Sequence, residues 1–555
     1  MTTVRETTHE LLRAWGLTTI FGNPGSNELP FLDGFPADFR YVLGLHEGAV
    51  LAMADGYAQA TGRPAFVNLH SAAGLGNAMG NLTNARAAHT PLVITAGQQS
   101  RAMVGLGAVL AEPDLTRVPE PHVKWSFEPA RAQDVPRALS EAFHLATLPP
   151  AGPVFVSVPL DDWTQTVDAQ EVERLAHRRV RSAGASAPQL LADLADLLSR
   201  ARAPVIVVGP EVDNEHAYPL VVALAERIWA PVWTAPVPPR CPFPTRHPLW
   251  RGVLPPSIAG VSEHLTGHDL ILALGAPIFR YHVYAPGPWL PAGAELVAVL
   301  SDPQEASRAA VGDAVVGDVG AVVEQLLDRL PARERGPQQL PTRPGVEVAT
   351  PDRAPFTANA VFAELVRWVP AEVPLVNEST SNTTEFWTHL NRSRPRSLFF
   401  PAAGGLGFGL PAAVGVALAD PARPVVAVLG DGALQYGVTG LWTAAQLRLP
   451  ITFLVLRNGG YDGLRGFLAP LGVTAAPGLD LPGLDSVPIA RGYGVPAQEV
   501  TTGEELVAAL RGAVTGAGPR LVEVPIRPRA AGRRGSAFRG DRQGDPPVSG
   551  TDRQG

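Results

Sequence analysis

Two apolar runs in the last third of the chain end in short polar turns, and together they constrain the fold more than any other feature. Val-Val-Ala-Val-Leu at 425–429 closes on Gly430-Asp431-Gly432, and Ile-Thr-Phe-Leu-Val-Leu at 451–456 closes on Arg457-Asn458-Gly459-Gly460. Runs of this length bounded by glycine read as strands buried on both faces, and the intervening 441–447 stretch reads as a crossover helix. Such a pair belongs in a parallel sheet, and its polar closures fall at the C-terminal strand ends, where doubly wound sheets bind ligands. A carboxylate and a carboxamide side by side there suit a hydrated cation bridging to phosphate. The flanking glycines let backbone N–H groups approach phosphate oxygens, with a helix N-terminus beyond.

The rest of the chain repeats the alternation. Residues 7–15 pattern as an amphipathic helix, 18–21 as a strand ending in Gly22-Asn-Pro-Gly-Ser26, and a small-residue helix starts near His46-Glu47. A strand over 64–69 is expected to deliver His70-Ser71 into a loop containing Gly74 and Gly76, and 91–95 and 153–158 complete the strands of an α/β domain over 1–180. Strands at 204–208, 270–274 and 296–300 define a Rossmann-like domain over 186–335, with no G-x-G-x-x-G to support a dinucleotide site. A third α/β domain spans 355–527 and carries the opening feature. The predicted architecture is thus three doubly wound parallel-sheet α/β domains, joined by linkers at 178–186 and 333–353. The Arg, Gly, Asp and Pro of 528–555 lack the apolar residues to fold and are expected to be disordered.

Composition narrows the partners. A net charge of −7 argues against nucleic acid or an anionic membrane, and no charge-free apolar run reaches spanning length. The single cysteine, Cys241, excludes a disulfide framework and fits a reducing cytoplasm.

Gly430-Asp431-Gly432 followed after a strand-length interval by Arg457-Asn458, with Glu47 at a helix start in the first domain, resembles the thiamin diphosphate enzymes of the 2-oxo acid decarboxylase and acetolactate synthase family. Within it the chain is most similar to the benzoylformate decarboxylase branch, over about residues 5–526. The motifs carrying this are Phe21-Gly-Asn-Pro-Gly-Ser-Asn-Glu-Leu-Pro-Phe31, Asn68-Leu-His-Ser-Ala-Ala73, Ala96-Gly-Gln-Gln99, Cys241-Pro-Phe-Pro-Thr-Arg-His247, Gly275-Ala-Pro-Ile-Phe-Arg-Tyr-His282, Asn377-Glu-Ser-Thr380 and Ala402-Ala-Gly-Gly-Leu-Gly-Phe408.

The resemblance implies non-oxidative decarboxylation of an aromatic 2-oxo acid, benzoylformate to benzaldehyde and CO2, with thiamin diphosphate and Mg2+, and carboligation as a side activity. It assigns Glu47 to the aminopyrimidine ring and Asp431, Asn458 and the Gly460 carbonyl to Mg2+. Pro24, Gly25, Thr380, Ser381, Gly404, Leu406, Gly432, Ala433 and Tyr461 would contact the cofactor, with Leu406 as the apolar prop. Ser26 would bind the substrate carboxylate and His70 and His282 would transfer protons, a task suited to histidine at neutral pH. Val109, Leu110, Leu464 and Phe467 would line the aryl pocket. It implies a homodimer or homotetramer with sites between subunits.

Other readings of these residues stay open at this point. Glu47 suits a helix N-terminus on dipole grounds alone, and the two histidines and four apolar residues suit ordinary turn and core positions. Arg457, Ala433, Asp462-Gly463 and Gly466 depart from the family pattern. Asp462 is expected to repel an anion or attract a cationic substrate group, and Gly466 to widen the pocket. The competing functions are another 2-oxo acid or acyl-CoA substrate, an acetolactate-synthase-like ligase, and a non-catalytic paralogue.

Overall fold

The computed structural model describes residues 2–182, 187–278, 281–282, 284–332, 348 and 352–528. The proposed tail and most of the second linker lie outside these residues, as do 183–186 of the first.

The first sheet is built from β1 (Thr19–Gly22), β2 (Arg40–Leu43), β3 (Ala65–Leu69), β4 (Leu92–Gln98), β5 (Ser126–Phe127) and β6 (Val154–Pro159), in spatial order β2-β1-β3-β4-β6-β5. The second uses β7 (Pro204–Val208), β8 (Val232–Thr234), β9 (Trp250–Val253), β10 (Leu270–Leu274), β11 (Glu295–Leu300) and β12 (Asp313–Val316), in order β9-β8-β7-β10-β11-β12. The third uses β13 (Leu375–Glu378), β14 (Leu398–Phe399), β15 (Val425–Gly430), β16 (Ile451–Arg457), β17 (Ala497–Glu499) and β18 (Arg520–Pro525), in order β14-β13-β15-β16-β18-β17. All pairings within these sheets are parallel. Their central strands are fully buried, which is why they read as unbroken apolar runs. The fold class is the one the sequence predicts.

The helices that matter here are α1 (Val4–Trp15), α2 (Glu47–Thr61), α3 (Ser71–Ala87), α4 (Arg101–Val104), α5 (Gly409–Ala419), α6 (Asp431–Tyr436), α7 (Gly440–Gln446) and α8 (Asp462–Leu468). Two of them refine the sequence reading. Gly74 and Gly76 sit inside the continuous α3 rather than in a loop, and the crossover helix expected at 441–447 is α7, preceded by the separate short α6. The first correction has a packing cause: a Cβ at Gly74 would lie 3.0 Å from Cγ of Glu47, so glycine is there for a close approach.

α2 and α5 cross backbone against backbone. A Cβ on Gly56 would sit 2.3 Å from the Ala412 carbonyl oxygen, and one on Gly415 would sit 1.9 Å from that of Met53. These small residues let one apolar core run from the first sheet into the third, through Val50, Met53, Ala413 and Val414. Among the described residues no helix is long and apolar enough to cross a membrane.

Candidate active site

Strand order reverses between β1 and β3 in the first sheet and between β13 and β15 in the third, and the C-terminal mouths of these pairs are the expected ligand positions. At the first mouth the chain leaves β1 through Asn23, Pro24, Gly25 and Ser26 and leaves β3 at His70. His70 Nδ1 lies 2.8 Å from Oε2 of Glu28, a residue only 1% exposed. That carboxylate also accepts N–H bonds from Gly25 (2.9 Å), Gly97 (2.8 Å) and Ser71 (3.3 Å). An acceptor so placed holds the imidazole proton on Nδ1 and leaves Nε2 free to face outward. Gly25 permits this, since a Cβ there would lie 2.0 Å from His70 Nδ1. Ser26 is exposed at the same edge.

Glu47 opens α2 just beyond β2, with His46 capping the helix through Gly48 N–H. Its Oε1 accepts from Asn23 Nδ2 (3.0 Å) and its Oε2 from Asn77 Nδ2 (2.9 Å). Both oxygens are held by neutral amides, and each keeps a lone pair for one further donor.

At the mouth of the third sheet Asp431 is the first residue of α6 and is 2% exposed. Oδ1 accepts from Gly432 N–H (2.9 Å) and Oδ2 from Gly459 N–H (2.8 Å), so the two polar closures are joined directly. Burial raises the Asp431 carboxyl above its ordinary value, against the pull of the Gly459, Gly432 and Asn458 N–H groups. Asn458 Oδ1 accepts from Gly460 N–H (3.1 Å), and Gly459 takes a left-handed φ of 72° to make the turn.

The two nearby cations turn elsewhere. Arg457 bonds Glu523 (2.6 Å) and Glu499 (3.2 Å), while Arg465 bonds both Asp462 and Asp480. The expected role of Asp462 as a free carboxylate facing substrate is therefore corrected: it is 2% exposed and paired within α8. Arg457 does not crowd Asn458 either. Among the described residues Asp431 is therefore met by backbone N–H donors and by no cationic side chain. Its carboxylate, the Asn458 amide oxygen and the Gly460 carbonyl are hard oxygens of the kind a divalent cation such as Mg2+ takes.

Around this mouth Glu378 accepts N–H bonds from Gly407 (2.8 Å), Phe408 (3.1 Å) and Gly409 (2.9 Å), fixing the start of α5 and the loop before it. Asn84 of α3 holds the same loop from the other side, through Ala403 and Gly405. Gly404, with φ 78° and open space over its Cα, and half-exposed Leu406 stand at its apex. Ser381 Oγ accepts from Gly463 N–H (2.8 Å), beside exposed Thr380. Gly432 is required because the Tyr461 ring lies 2.6 Å from where its Cβ would be; Ala433, next along α6, is buried.

Three family descriptions match in chain order: "Thiamine pyrophosphate enzyme, N-terminal TPP binding domain" over 2–118, "central domain" over 191–326, and "C-terminal TPP binding domain" over 378–524. The chain is 56% identical over 528 residues to benzoylformate decarboxylase of Pseudomonas aeruginosa, covering 95% of this chain and 99% of that one. It belongs to the thiamine pyrophosphate enzymes, in the benzoylformate decarboxylase family. Among solved structures it superposes on the thiamine diphosphate-dependent 4-hydroxybenzoylformate decarboxylase of Rhodococcus jostii RHA1 with TM-score 0.91 and 50% identity, covering 95% of this chain and 99% of that one. Benzoylformate decarboxylase from Polynucleobacter necessarius gives TM-score 0.92 and 39% identity over 95% and 99% of the two chains.

In this thiamine pyrophosphate enzyme the two mouths are tied together by Asn81 and Asn84 of α3, which bond the 403–407 loop, and three of the four apolar candidates face outward. Val109 is 84% exposed, Leu464 53% and Leu110 37%; the first and third lie beyond β4, Leu464 and Phe467 on α8. The structure does bring His282 to α8, its ring 4.7 Å from that of Phe467 in an edge-on contact. A separate cavity of about 720 Å3 between the first and second sheets, walled by Arg86, His89, Lys124 and Leu300, contains none of the candidate residues. Sequence reasoning missed Glu28 as the partner of His70 and Glu378 as the anchor of the Leu406 loop. Both stand inside quoted motifs, yet their partners lie about thirty to forty positions away, which only the sheet topology reveals.

Proposed function

We propose that the protein decarboxylates an aromatic 2-oxo acid, benzoylformate to benzaldehyde and CO2, with thiamin diphosphate anchored through Mg2+. The observation that carries this is the pair of mouths: a buried carboxylate held by amides in the first sheet and a buried carboxylate held by glycine N–H groups in the third. Asp431, Asn458 and the Gly460 carbonyl hold the metal, and Gly404, Leu406, Gly432, Thr380, Ser381 and Tyr461 receive the cofactor, with Pro24 and Gly25 opposite. When bound, thiamin diphosphate supplies a carbon nucleophile for the keto group and the electron sink that CO2 loss requires.

The protein supplies orientation and protons. Glu47, pinned by Asn23 and Asn77, offers its remaining lone pairs to the pyrimidine ring. Ser26 binds the substrate carboxylate. His70, with Nδ1 fixed by Glu28, manages the proton at the former carbonyl oxygen through Nε2, and His282 delivers a proton to the carbon that loses CO2. Val109, Leu110, Leu464 and Phe467 form the aryl wall, and transfer of the carboxylate from water to that wall favours its departure. The exposure of these walls in one chain supports a second copy completing the site, in a homodimer or homotetramer.

The test is turnover of benzoylformate by protein loaded with thiamin diphosphate and Mg2+. Benzaldehyde and CO2 in equal amounts are expected. Loaded protein that releases CO2 from aliphatic 2-oxo acids but never from benzoylformate overturns the substrate; loaded protein that releases none overturns the activity.

A further inference from the structure

In the motif Ala96-Gly-Gln-Gln99 only Gly97 enters the site above, and the two glutamines make an unusual set of bonds. Gln98 ends β4 and is 1% exposed. Its Nε2 donates to the Glu112 carbonyl (2.6 Å), and its Oε1 accepts from Glu112 N–H (3.1 Å) and Gln99 N–H (2.9 Å). One side chain thus pairs with both backbone groups of a residue fourteen positions on, as a neighbouring strand would. Gln99 Nε2 donates to the Val109 carbonyl (3.0 Å), and its Oε1 accepts from Ser100 N–H (3.0 Å). At the base of the excursion Arg101, at the start of α4, forks onto Asp162 (2.8 and 2.6 Å) and reaches the Pro129 carbonyl (2.7 Å).

What these bonds hold is a loop whose own bonds are local turns, Gly107 N–H to the Val104 carbonyl (3.2 Å) and Ala111 N–H to the Ala108 carbonyl (2.9 Å). Residues 105–112 contain two glycines, no regular structure, and Leu110 at a left-handed φ of 68°, a conformation costly for a branched side chain. Leu106 (76% exposed) and Val109 (84% exposed) present apolar surface to solvent. Those local turns do not tie the loop to the sheet; the Gln98 and Gln99 bonds to Glu112 and Val109 do.

We propose that Gln98 and Gln99 are positioning residues for substrate selection: they clamp the 105–112 loop so that Leu110 and Val109 stand as a preformed wall for an aryl group. The inference rests on the reading of Val109 and Leu110 as pocket residues. A wall held in place before binding lowers the ordering cost for an aryl substrate, and it matters little to a short aliphatic 2-oxo acid that never reaches it. The clamp therefore acts on KM for the aryl substrate and on the ratio between substrate classes, with little effect on kcat.

The experiment compares Gln99→Met with Leu110→Ala and the unaltered protein, each loaded with thiamin diphosphate and Mg2+, on benzoylformate and 2-oxobutanoate. Gln99 is the better target because it is partly exposed, whereas Gln98→Met removes three buried bonds and endangers folding. The expected result for Gln99→Met is about a tenfold fall in the kcat/KM ratio of benzoylformate to 2-oxobutanoate, carried by KM, with cofactor affinity and melting temperature unchanged. Leu110→Ala should lower the same ratio. If Leu110→Ala lowers it and Gln99→Met does not, the clamp is wrong and the pocket stands. If neither changes it, the pocket assignment falls and the clamp with it. An equal loss on both substrates, or a lowered melting temperature, reduces Gln99 to a structural residue and overturns the proposal.

Discussion

The first and third sheets have one topology and two chemistries. Counted in chain order, their strands lie in the same spatial sequence, 2-1-3-4-6-5, whereas the middle sheet runs 3-2-1-4-5-6. Equivalent strand ends can be set side by side. The first strand leads to Ser26 in one sheet and to Thr380 and Ser381 in the other; the second leads to Glu47 and to Leu406; the third to His70 and to Asp431; the fourth to Gln98 and to Asn458. The helices after the second strands, α2 and α5, then pack on each other. Where the first sheet holds Glu47 with side-chain amides and sets Glu28, itself held by backbone N–H groups, against an imidazole, the third holds Asp431 and Glu378 with backbone N–H groups among the described bonds. Side-chain partners suit proton management, because they set which oxygen or nitrogen is free. Backbone N–H groups suit an anion or a cation–phosphate anchor, because they do not ionise near neutral pH and stay fixed donors.

The sharpest way to break this contrast is to remove one carboxylate from each sheet. Glu47→Gln should lower kcat by on the order of a thousandfold while Mg2+-dependent cofactor affinity changes less than tenfold. Asp431→Ala should do the reverse, weakening affinity by on the order of a hundredfold or more, as titration calorimetry with thiamin diphosphate would show. Loss of affinity in the first variant with retained affinity in the second would invert the assignment. A step smaller is Gly25→Ala. Its methyl occupies the His70 ring position, so the His70–Glu28 contact must open, and kcat/KM should fall about a hundredfold with cofactor binding intact. Near-normal turnover would remove His70 from the proton path.

How much of this was legible in the chain depended on where each residue's partners lie. Asp431 and Asn458 announce themselves because apolar runs of strand length end on them, and the register of β15 with β16 then sets their loops together. Glu47 was singled out through the family resemblance, its helix-start place alone favouring a dipole role, and Asn23 and Asn77 were not singled out, since no local pattern links positions 23, 47 and 77. The glycines of α3 misled because glycine usually breaks a helix, while here one makes room for Glu47. The aryl wall could be named but not closed, because one chain leaves Val109 and Leu464 in solvent. Arg457 and Asp462 looked disruptive in sequence and prove to be paired. Arg457 is answered by the distant Glu499 and Glu523, which no local pattern links to it, whereas Asp462 pairs with Arg465 one helical turn on.

Arg457 sharpens the comparison at the level of stability. Its guanidinium answers Glu523, which is 0% exposed and otherwise accepts only from Ser486 N–H (3.0 Å) among its described bonds. Arg457→Asn restores the family residue but strands that carboxylate. We expect a loss of about 1–3 kcal/mol in unfolding free energy, the usual cost of leaving a buried acceptor unpaired, with kcat/KM within threefold. A large fall in turnover at unchanged stability would mean that Arg457 serves the site after all.

The smallest effect separates two buried carboxylates that play no part in the chemistry, one on each side of the α2–α5 contact. Asp55 on α2 accepts from Gln59 and Thr90 (2.6 Å each) through Oδ1, while Oδ2 has no hydrogen-bond partner among the described residues, and burial pushes its carboxyl up to about 6. Glu378 is pushed up to about 7 by burial despite its three N–H donors. Both lie above their unfolded values, so the folded form holds the proton more tightly. Their contribution to stability is complete below about 4 and is lost as pH rises through about 6 and about 7. Asp55→Asn mimics the protonated form and removes only the lower of the two steps. Between pH 5 and pH 8 the unaltered protein should lose about 4 kcal/mol from these groups, and the variant about 1 kcal/mol less. Melting temperatures across that range would show it: a pH slope identical in both proteins would place the titration of Asp55 outside this window.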